Sequence, residues 1–177
     1  METTFASKRV FDGKFVKVDI LDVTLPNGKT AKREIVRFPQ VVVIVPKFPN
    51  GDILCIEQPR IAIEPDSVIE AIAGKIDPGE DPYEAALREL KEETGYVPSR
   101  IEMIGTLYPS PGYCNEKQFV FSAKIDDPPG PTSPDEDERI SLVRLNQIQL
   151  QDLVWSGRPL DSKLLAAIGI SMSWSNW

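Results

Sequence analysis

The stretch GKIDPGEDPYEAALRELKEETGY, residues 74–96, predicts a loop followed by one short helix. Asp81 is a suitable N-cap residue, and Pro82 fits the first helical position, where its missing N–H costs nothing. Glu84 follows Asp81 at the spacing of a capping box. Gly95 supplies the stop. The sequence therefore predicts a helix between Asp81 and Gly95.

Apolar residues recur along this helix at helical spacing. Tyr83, Leu87, Leu90 and Thr94 follow the i, i+4, i+7, i+11 pattern, and Ala86 lies beside them. This stripe predicts the face of the helix that packs against the core of the protein.

Besides Glu84 of the capping box, four glutamates lie on the loop and the helix: Glu80, Glu89, Glu92 and Glu93. Glu89 and Glu93 are one turn apart and stack along one flank of the stripe, with Glu92 about 60° round the helix from Glu89. Carboxylates so close together repel one another unless a cation lies between them. Arg88, one turn from Glu92, can hold one carboxylate while the others face a metal. The pattern favours a site for a hard divalent metal ion.

A solvated acidic surface is the alternative explanation of these charges. Glutamate is a good helix former, and a like-charged i, i+4 pair costs only about a few tenths of a kcal/mol. A solvated face does not explain why Gly74 and the run Pro78–Glu80 precede a well-capped helix. A turn at Gly74 would bring main-chain carbonyl groups and Glu80 close to the helical carboxylates. The metal interpretation is therefore favoured.

The composition excludes several classes of chemistry. The chain of 177 residues fits one domain, residues 1–177, and contains no histidine. Ser-His-Asp catalysis, Cys-His catalysis and histidine-ligated zinc are therefore excluded, and oxygen ligands favour Mg²⁺ or Mn²⁺. A net charge of −7 argues against nucleic-acid binding. No signal peptide is visible and the run Val41–Val45 is too short to span a membrane, so we expect a cytoplasmic protein with no membrane partner.

The rest of the chain predicts an α/β (α+β) arrangement, with a mixed sheet between helices. We expect a hairpin with arms at residues 14–25 and 33–38, and a late helix within residues 161–170 that is capped by Asp161. The other predicted strands cover residues 41–45, 53–57, 68–72, 103–108, 118–123 and 140–145, and another helix lies within residues 145–155.

Residues 126–138 differ in composition from the rest of the chain. Several prolines and a glycine are followed by the acidic run Asp135–Glu138. Composition alone favours a surface loop without regular structure. An acidic loop beside a metal site would instead carry a catalytic base.

Residues 74–96 match the Nudix box, G-x5-E-x7-R-E-U-x-E-E-x-G-U with U a bulky apolar residue, and the chain resembles the Nudix hydrolases. Within that family it is similar to the ADP-ribose pyrophosphatase-like branch. The flanking residues that carry this similarity are Arg33-Glu34, Glu57-Gln58-Pro59-Arg60, Glu70 with Ala73-Gly74, Ser110-Pro111-Gly112 and the acidic loop. The resemblance implies a Nudix-type α/β/α sandwich with a mixed sheet and an N-terminal antiparallel hairpin region.

The resemblance also implies a reaction and a metal site. Water would cleave a nucleoside diphosphate linked to another moiety, most simply ADP-ribose to AMP and ribose 5-phosphate, with Mg²⁺ or with Mn²⁺ in its place. The metal ligands would be Glu89, Glu93 and the Ala73 carbonyl, with Glu80, Glu92 and Arg88 in support. On the acidic loop, Glu138 and Glu136 match the residues that complete the metal site and act as base.

The substrate contacts and the partner follow from the same resemblance. Arg60 would contact the diphosphate or the terminal ribose, and Arg33 and Glu34 would reach the adenine side across a homodimer interface. The remaining expected substrate contacts are Gly74, Pro111 and Gly112. Residues 1–38 would lie at the interface, and residues 39–177 would form the catalytic core.

Other functions remain open at this point. The same active site would serve a nucleotide sugar, a dinucleoside polyphosphate or an oxidised nucleotide, because the box determines the chemistry and not the substrate. A non-catalytic module that binds a nucleotide is a second class, and an acidic interaction domain without a ligand is a third. All the glutamates of the box are present, which favours an enzyme.

Overall fold

The computed structural model describes residues 1–63, 67–133 and 139–173. Within these ranges the chain forms ten strands and three helices. The strands are β1 (Thr3–Asp12), β2 (Lys17–Thr24), β3 (Thr30–Arg37), β4 (Val41–Lys47), β5 (Ile53–Pro59), β6 (Ser67–Glu70), β7 (Ile72–Lys75), β8 (Arg100–Leu107), β9 (Gln118–Lys124) and β10 (Ser141–Leu145). The helices are α1 (Pro82–Thr94), α2 (Gln147–Trp155) and α3 (Ser162–Ser173).

A first compact unit comprises residues 1–40 and 107–118. Its three strands form an antiparallel sheet in the order β1-β2-β3. The turn between β2 and β3 contains Gly28 with a φ of 81°, and the predicted hairpin is confirmed. The sequence analysis does not predict β1, because every residue of this strand is exposed and no apolar alternation marks it.

A second unit comprises residues 41–106 and 119–177, with the gaps in the description stated above. Its larger sheet has the path β10-β5-β4-β9-β8, with β6 on β5 and β7 on β4. Residues 41–46 of β4 are all buried, although successive side chains point to opposite faces of the sheet. Both faces are therefore covered, as in a sheet between helices. Helices α1 and α3 both contact β4.

The first residue of the box, Gly74, lies in β7, which pairs with β4 of the larger sheet. Ala73 pairs with Val43 and Gly74 pairs with Val42 in an antiparallel register. The predicted turn at Gly74 is wrong, because Gly74 lies inside β7. The chain instead reverses after the strand, where the Glu80 N–H donates to the Asp77 carbonyl at 3.0 Å.

Helix α1 begins and ends where the sequence predicts. The Asp81 carboxylate accepts from the backbone N–H of Tyr83 at 2.8 Å, and Gly95 closes the helix in the left-handed conformation with a φ of 74°. The predicted core stripe needs one correction, since Tyr83 is 44% exposed. The buried face is instead rotated to include Ala85 and Glu93. Helix α1 packs against β4 and β7.

The α+β fold class is confirmed, together with all three helices and the predicted strands from β2 onward, except that the single strand predicted over residues 68–72 is replaced by two strands, β6 and β7. Asp161 caps α3 as expected, because its carboxylate accepts from the backbone N–H groups of Lys163 and Leu164. Across the described ranges, no helix combines the length and the apolar character needed to cross a membrane.

Candidate active site

Arg88 lies at the centre of the acidic residues. Its Nε donates to Glu80 Oε1 at 2.8 Å, and its Nη2 donates to Glu80 Oε2 at 2.9 Å, which gives a paired contact between two planar groups. The backbone N–H of Asp77 also donates to Glu80 Oε2, at 2.9 Å. The loop carboxylate is therefore held between the helix and its own turn.

The same guanidinium reaches further acceptors. Its Nη1 donates to Glu89 Oε1 at 2.8 Å and to Glu92 Oε2 at 3.1 Å, while Nη2 donates to the Lys75 carbonyl at 3.0 Å. The sequence analysis assigned one carboxylate to Arg88, and the structure gives it three. Arg88 thus ties the loop, the helix and the end of β7 together.

This network changes proton affinities. The hydrogen bonds from Arg88 lower the pKa of Glu80 to about 2, against an opposing effect of burial. The hydrogen bonds to the carboxylates, that of Glu80 first, raise the pKa of Arg88 above its usual value. Both groups are therefore charged throughout the neutral range.

The Glu89 carboxylate packs directly against the backbone of Gly74. A Cβ atom at residue 74 would stand 1.9 Å from Glu89 Cδ and 2.0 Å from its Oε1. Only glycine leaves this space to the carboxylate. The glycine of the box is needed here for close approach and not for a turn.

The donors fit a hard divalent cation in kind. Glu80, Glu89, Glu92 and Glu93 offer carboxylate oxygens, and Glu93 is only 5% exposed. In the part of the chain that the structure describes, no three His, Cys, Asp or Glu side chains already converge as a cage, since Arg88 draws three of the glutamates to itself.

The segment before the acidic run lies against α1. The Ser133 N–H donates to the Glu92 carbonyl at 2.8 Å, and the Gly130 N–H donates to the Gly95 carbonyl at 2.8 Å. A cavity of about 490 Å³ is lined by Arg88, Glu92 and Ser133, among others. The predicted loop residues Glu136 and Glu138 lie outside the described residues.

Arg60 belongs to a second group of ion pairs in the same unit. Its Nε and Nη2 donate to the two carboxylate oxygens of Glu70 at 2.6 and 2.8 Å. The Lys163 Nζ lies 3.8 Å from Glu70 Oε2 and 2.9 Å from Asp161 Oδ1. The sequence analysis names Arg60 as a site residue but gives Lys163 no role, because no spacing rule connects β6 with the start of α3.

The other expected substrate residues lie in the first unit. Arg33 pairs with Glu2, and Glu34 is exposed on β3. Pro111 and Gly112 occupy an exposed turn in which the Cys114 N–H donates to the Ser110 carbonyl at 2.8 Å.

Comparison with known proteins identifies the family to which the chain belongs. The profile of the NUDIX domain matches residues 37–164, and the chain belongs to the Nudix family. It is a Nudix hydrolase, and hydrolases of this family generally use divalent metal cations.

Particular relatives cover almost the whole chain. An ADP-ribose pyrophosphatase of Bacillus subtilis (strain 168) is 37% identical over 168 residues, 94% of this chain and 90% of that protein. A methanol dehydrogenase activator of Bacillus methanolicus is 38% identical, with the same shares covered. A solved structure titled as an ADP compounds hydrolase superposes with a TM-score of 0.85 at 27% identity, covering 98% of this chain and 93% of that one.

Proposed function

We propose that this protein hydrolyses ADP-ribose to AMP and ribose 5-phosphate with Mg²⁺, for which Mn²⁺ can substitute. The observation that carries the proposal is the carboxylate of Glu89 lying directly on Gly74, beside glutamates that Arg88 holds in place. A relative named for this activity supports the choice of substrate.

Glu89 and Glu93 would bind the ion together with the Ala73 carbonyl, and Glu80 and Glu138 would complete the site. The divalent ion supplies charge neutralisation at the pyrophosphate and makes water a stronger acid. The protein's own contribution is the arrangement of carboxylates that would otherwise repel one another. Gly74 contributes by leaving room for Glu89 beside the substrate.

Arg88 and Glu92 would act as positioning residues. The guanidinium holds Glu80 and Glu89 through short charge-assisted hydrogen bonds, which would keep these carboxylates beside the place where the ion binds. Glu136 or Glu138 would take the proton from the attacking water. The contact of Ser133 with α1 supports this role, because it brings the chain to the helix directly before the acidic run.

Arg60 and Gly74 would contact the phosphates, and Pro111 and Gly112 would line the substrate. Arg33 and Glu34 would approach the adenine of a substrate bound to the second subunit. We propose a cytoplasmic homodimer in which β1 packs against another copy of the chain. The exposed aromatic rings of Phe5 and Phe11 on this edge strand support that arrangement, since an uncovered apolar edge favours association.

The decisive experiment is incubation of the purified protein with ADP-ribose and Mg²⁺, with and without chelator, followed by separation of the products. We expect AMP and ribose 5-phosphate in equal amounts and none with chelator. Glu93→Gln should lower turnover by at least about 100-fold, because it replaces a charged ligand by a neutral amide.

A matched control keeps this result specific. Glu102→Gln changes a glutamate of the same unit that lies on β8 and pairs with Arg100. It should leave turnover unchanged, and both variants should retain the thermal midpoint of the wild type within about 4 °C. Wild-type turnover in Glu93→Gln would refute the ligand assignment.

Two alternatives belong in the same assay. A nucleotide sugar is favoured by a relative named GDP-mannose pyrophosphatase, from Yersinia enterocolitica, which is 33% identical over 128 residues. A module that binds a nucleotide without cleaving it is the second alternative. Cleavage of GDP-mannose in preference to ADP-ribose would establish the first, and binding of ADP-ribose without any cleavage would establish the second.

A further inference from the structure

We infer that Glu70 is a positioning residue that holds Arg60 and Lys163 as a pair of cations for a phosphate group of the substrate. The inference rests on the proposed function. It adds Glu70 and Lys163 to the substrate site and assigns them a task distinct from metal binding.

The contact between Glu70 and Arg60 is built for orientation. Two parallel hydrogen bonds, of 2.6 and 2.8 Å, join the carboxylate to the guanidinium. The Glu70 side chain is 5% exposed, whereas the Arg60 side chain is 48% exposed. A buried acid thus fixes the plane of an arginine that faces solvent, as is needed for recognition of phosphate by its N–H groups.

Lys163 is held from two sides. Its Nζ lies 2.9 Å from Asp161 Oδ1 and 3.8 Å from Glu70 Oε2, on the side of Glu70 that also binds Arg60 Nη2. Asp161 is itself fixed, because it caps α3 by accepting from two backbone N–H groups. Both cations therefore meet at one oxygen of Glu70, although they come from the end of β5 and the first turn of α3.

The place of this group suits a pyrophosphate substrate. Glu70 stands four residues before Gly74 on the continuous chain from β6 to β7, so their α-carbons are at most about 13 Å apart. Metal ions at Glu89 would neutralise one part of the pyrophosphate. In a protein with a net charge of −7, a second anionic group still needs protein cations, and Arg60 and Lys163 are cations of this kind.

Glu70 itself would not touch the substrate, because it is buried beneath the cations. A purely structural ion pair would have the same geometry. The two roles differ in the property that changes when the pair is broken. A positioning role predicts weaker anion binding in a protein that remains folded, whereas a structural role predicts lower stability.

The test is calorimetric titration of wild type and Glu70→Gln with inorganic pyrophosphate in the presence of chelator, which removes the metal contribution. We expect the Kd of the variant to rise about 10-fold, and in ADP-ribose turnover we expect KM to rise by a similar factor with kcat within about 3-fold. Lys163→Met should weaken pyrophosphate binding in the same direction.

Glu57→Gln is the matched control. Glu57 lies on β5 beside β6, accepts a hydrogen bond from Ser67 at 2.6 Å and has Arg158 Nη2 3.7 Å from its Oε1. Its Kd for pyrophosphate should stay within about 2-fold of the wild type.

A double-mutant cycle identifies the route of the effect. In the Arg60→Ala background, Glu70→Gln should change the Kd by less than about 3-fold, because the group that Glu70 orients is already gone. Independent effects that multiply, or a Glu70→Gln variant that binds pyrophosphate like the wild type, would overturn the inference. Failure of the wild type to cleave ADP-ribose would refute the proposed function alone, since pyrophosphate binding is measured without turnover.

Discussion

Two arginines in the second unit organise acidic residues in opposite ways. Arg88 binds three glutamates, all from the same loop and helix, whose side chains are between 14% and 41% exposed. Arg60 binds one glutamate that is buried and shares it with a lysine from the far end of the chain. In the first network a cation holds the carboxylates in place, and in the second a buried carboxylate holds two cations in place. The first suits a metal ion, and the second suits an anion.

Replacing each arginine in turn tests whether the two networks have these different roles. Arg88→Met should lower turnover by about 100-fold and the free energy of unfolding by about 3 kcal/mol, because three carboxylates lose a common partner. Arg60→Met should raise KM about 10-fold and leave kcat nearly unchanged. Steady-state kinetics and urea unfolding measure both.

The conservative variant Arg88→Lys separates the effect of charge from that of geometry. Arg88→Lys keeps the charge but cannot form the paired contact with Glu80, so it should recover only a small part of the lost turnover. If Arg88→Met lost stability but kept its turnover, the network would be structural and not catalytic.

Helix α1 shows why part of the site could be predicted from the sequence. Its cap, its stop and the contact between Arg88 and Glu92 all depend on residues within a few positions of one another, where spacing determines proximity. The failures come from packing. Tyr83 follows the helical pattern but is exposed, because the helix turns its Ala85 side toward the sheet.

Long-range contacts account for the rest. The approach of Lys163 to Glu70 depends on how α3 is placed beside β6, and no local pattern encodes that placement. Strand β1 was missed for the converse reason, since its pairing with β2 is made by backbone groups and leaves no alternation in the side chains. Sequence patterns thus report buried faces and short spacings well, and exposed strands and distant pairs poorly.

Two glycines provide a smaller and more local contrast. Gly74→Ala places a Cβ against the end of the Glu89 side chain, which can rotate away, so we expect a loss of stability below about 1 kcal/mol but a loss of turnover of about 10-fold. Gly95→Ala combines a φ of 74° with a contact of 2.2 Å to the Gly130 carbonyl oxygen, a backbone atom that cannot move aside easily.

For Gly95→Ala we expect a stability loss of about 2–3 kcal/mol and normal turnover per folded molecule. Thermal unfolding and active-enzyme concentration separate the two effects. If Gly95→Ala lost turnover and Gly74→Ala lost stability instead, Gly74 would be needed for folding and Gly95 for the site.

Acid should weaken the contact between Arg88 and Glu80. Arg88 lowers the pKa of Glu80 from 4.5 to about 2, so the folded state binds this proton less readily than the unfolded state does. The contribution of Glu80 is therefore fully present above pH 4.5 and is lost as the pH falls towards 2. Urea unfolding at about pH 5.5, above this window, and at about pH 3, inside it, should show a smaller difference for Glu80→Gln than for the wild type. Glu102→Gln should follow the wild type, because its partner Arg100 is largely exposed. Equal differences in all three proteins would mean that the paired contact of Arg88 with Glu80 contributes nothing to folding, and the loop would then owe its position to its backbone alone.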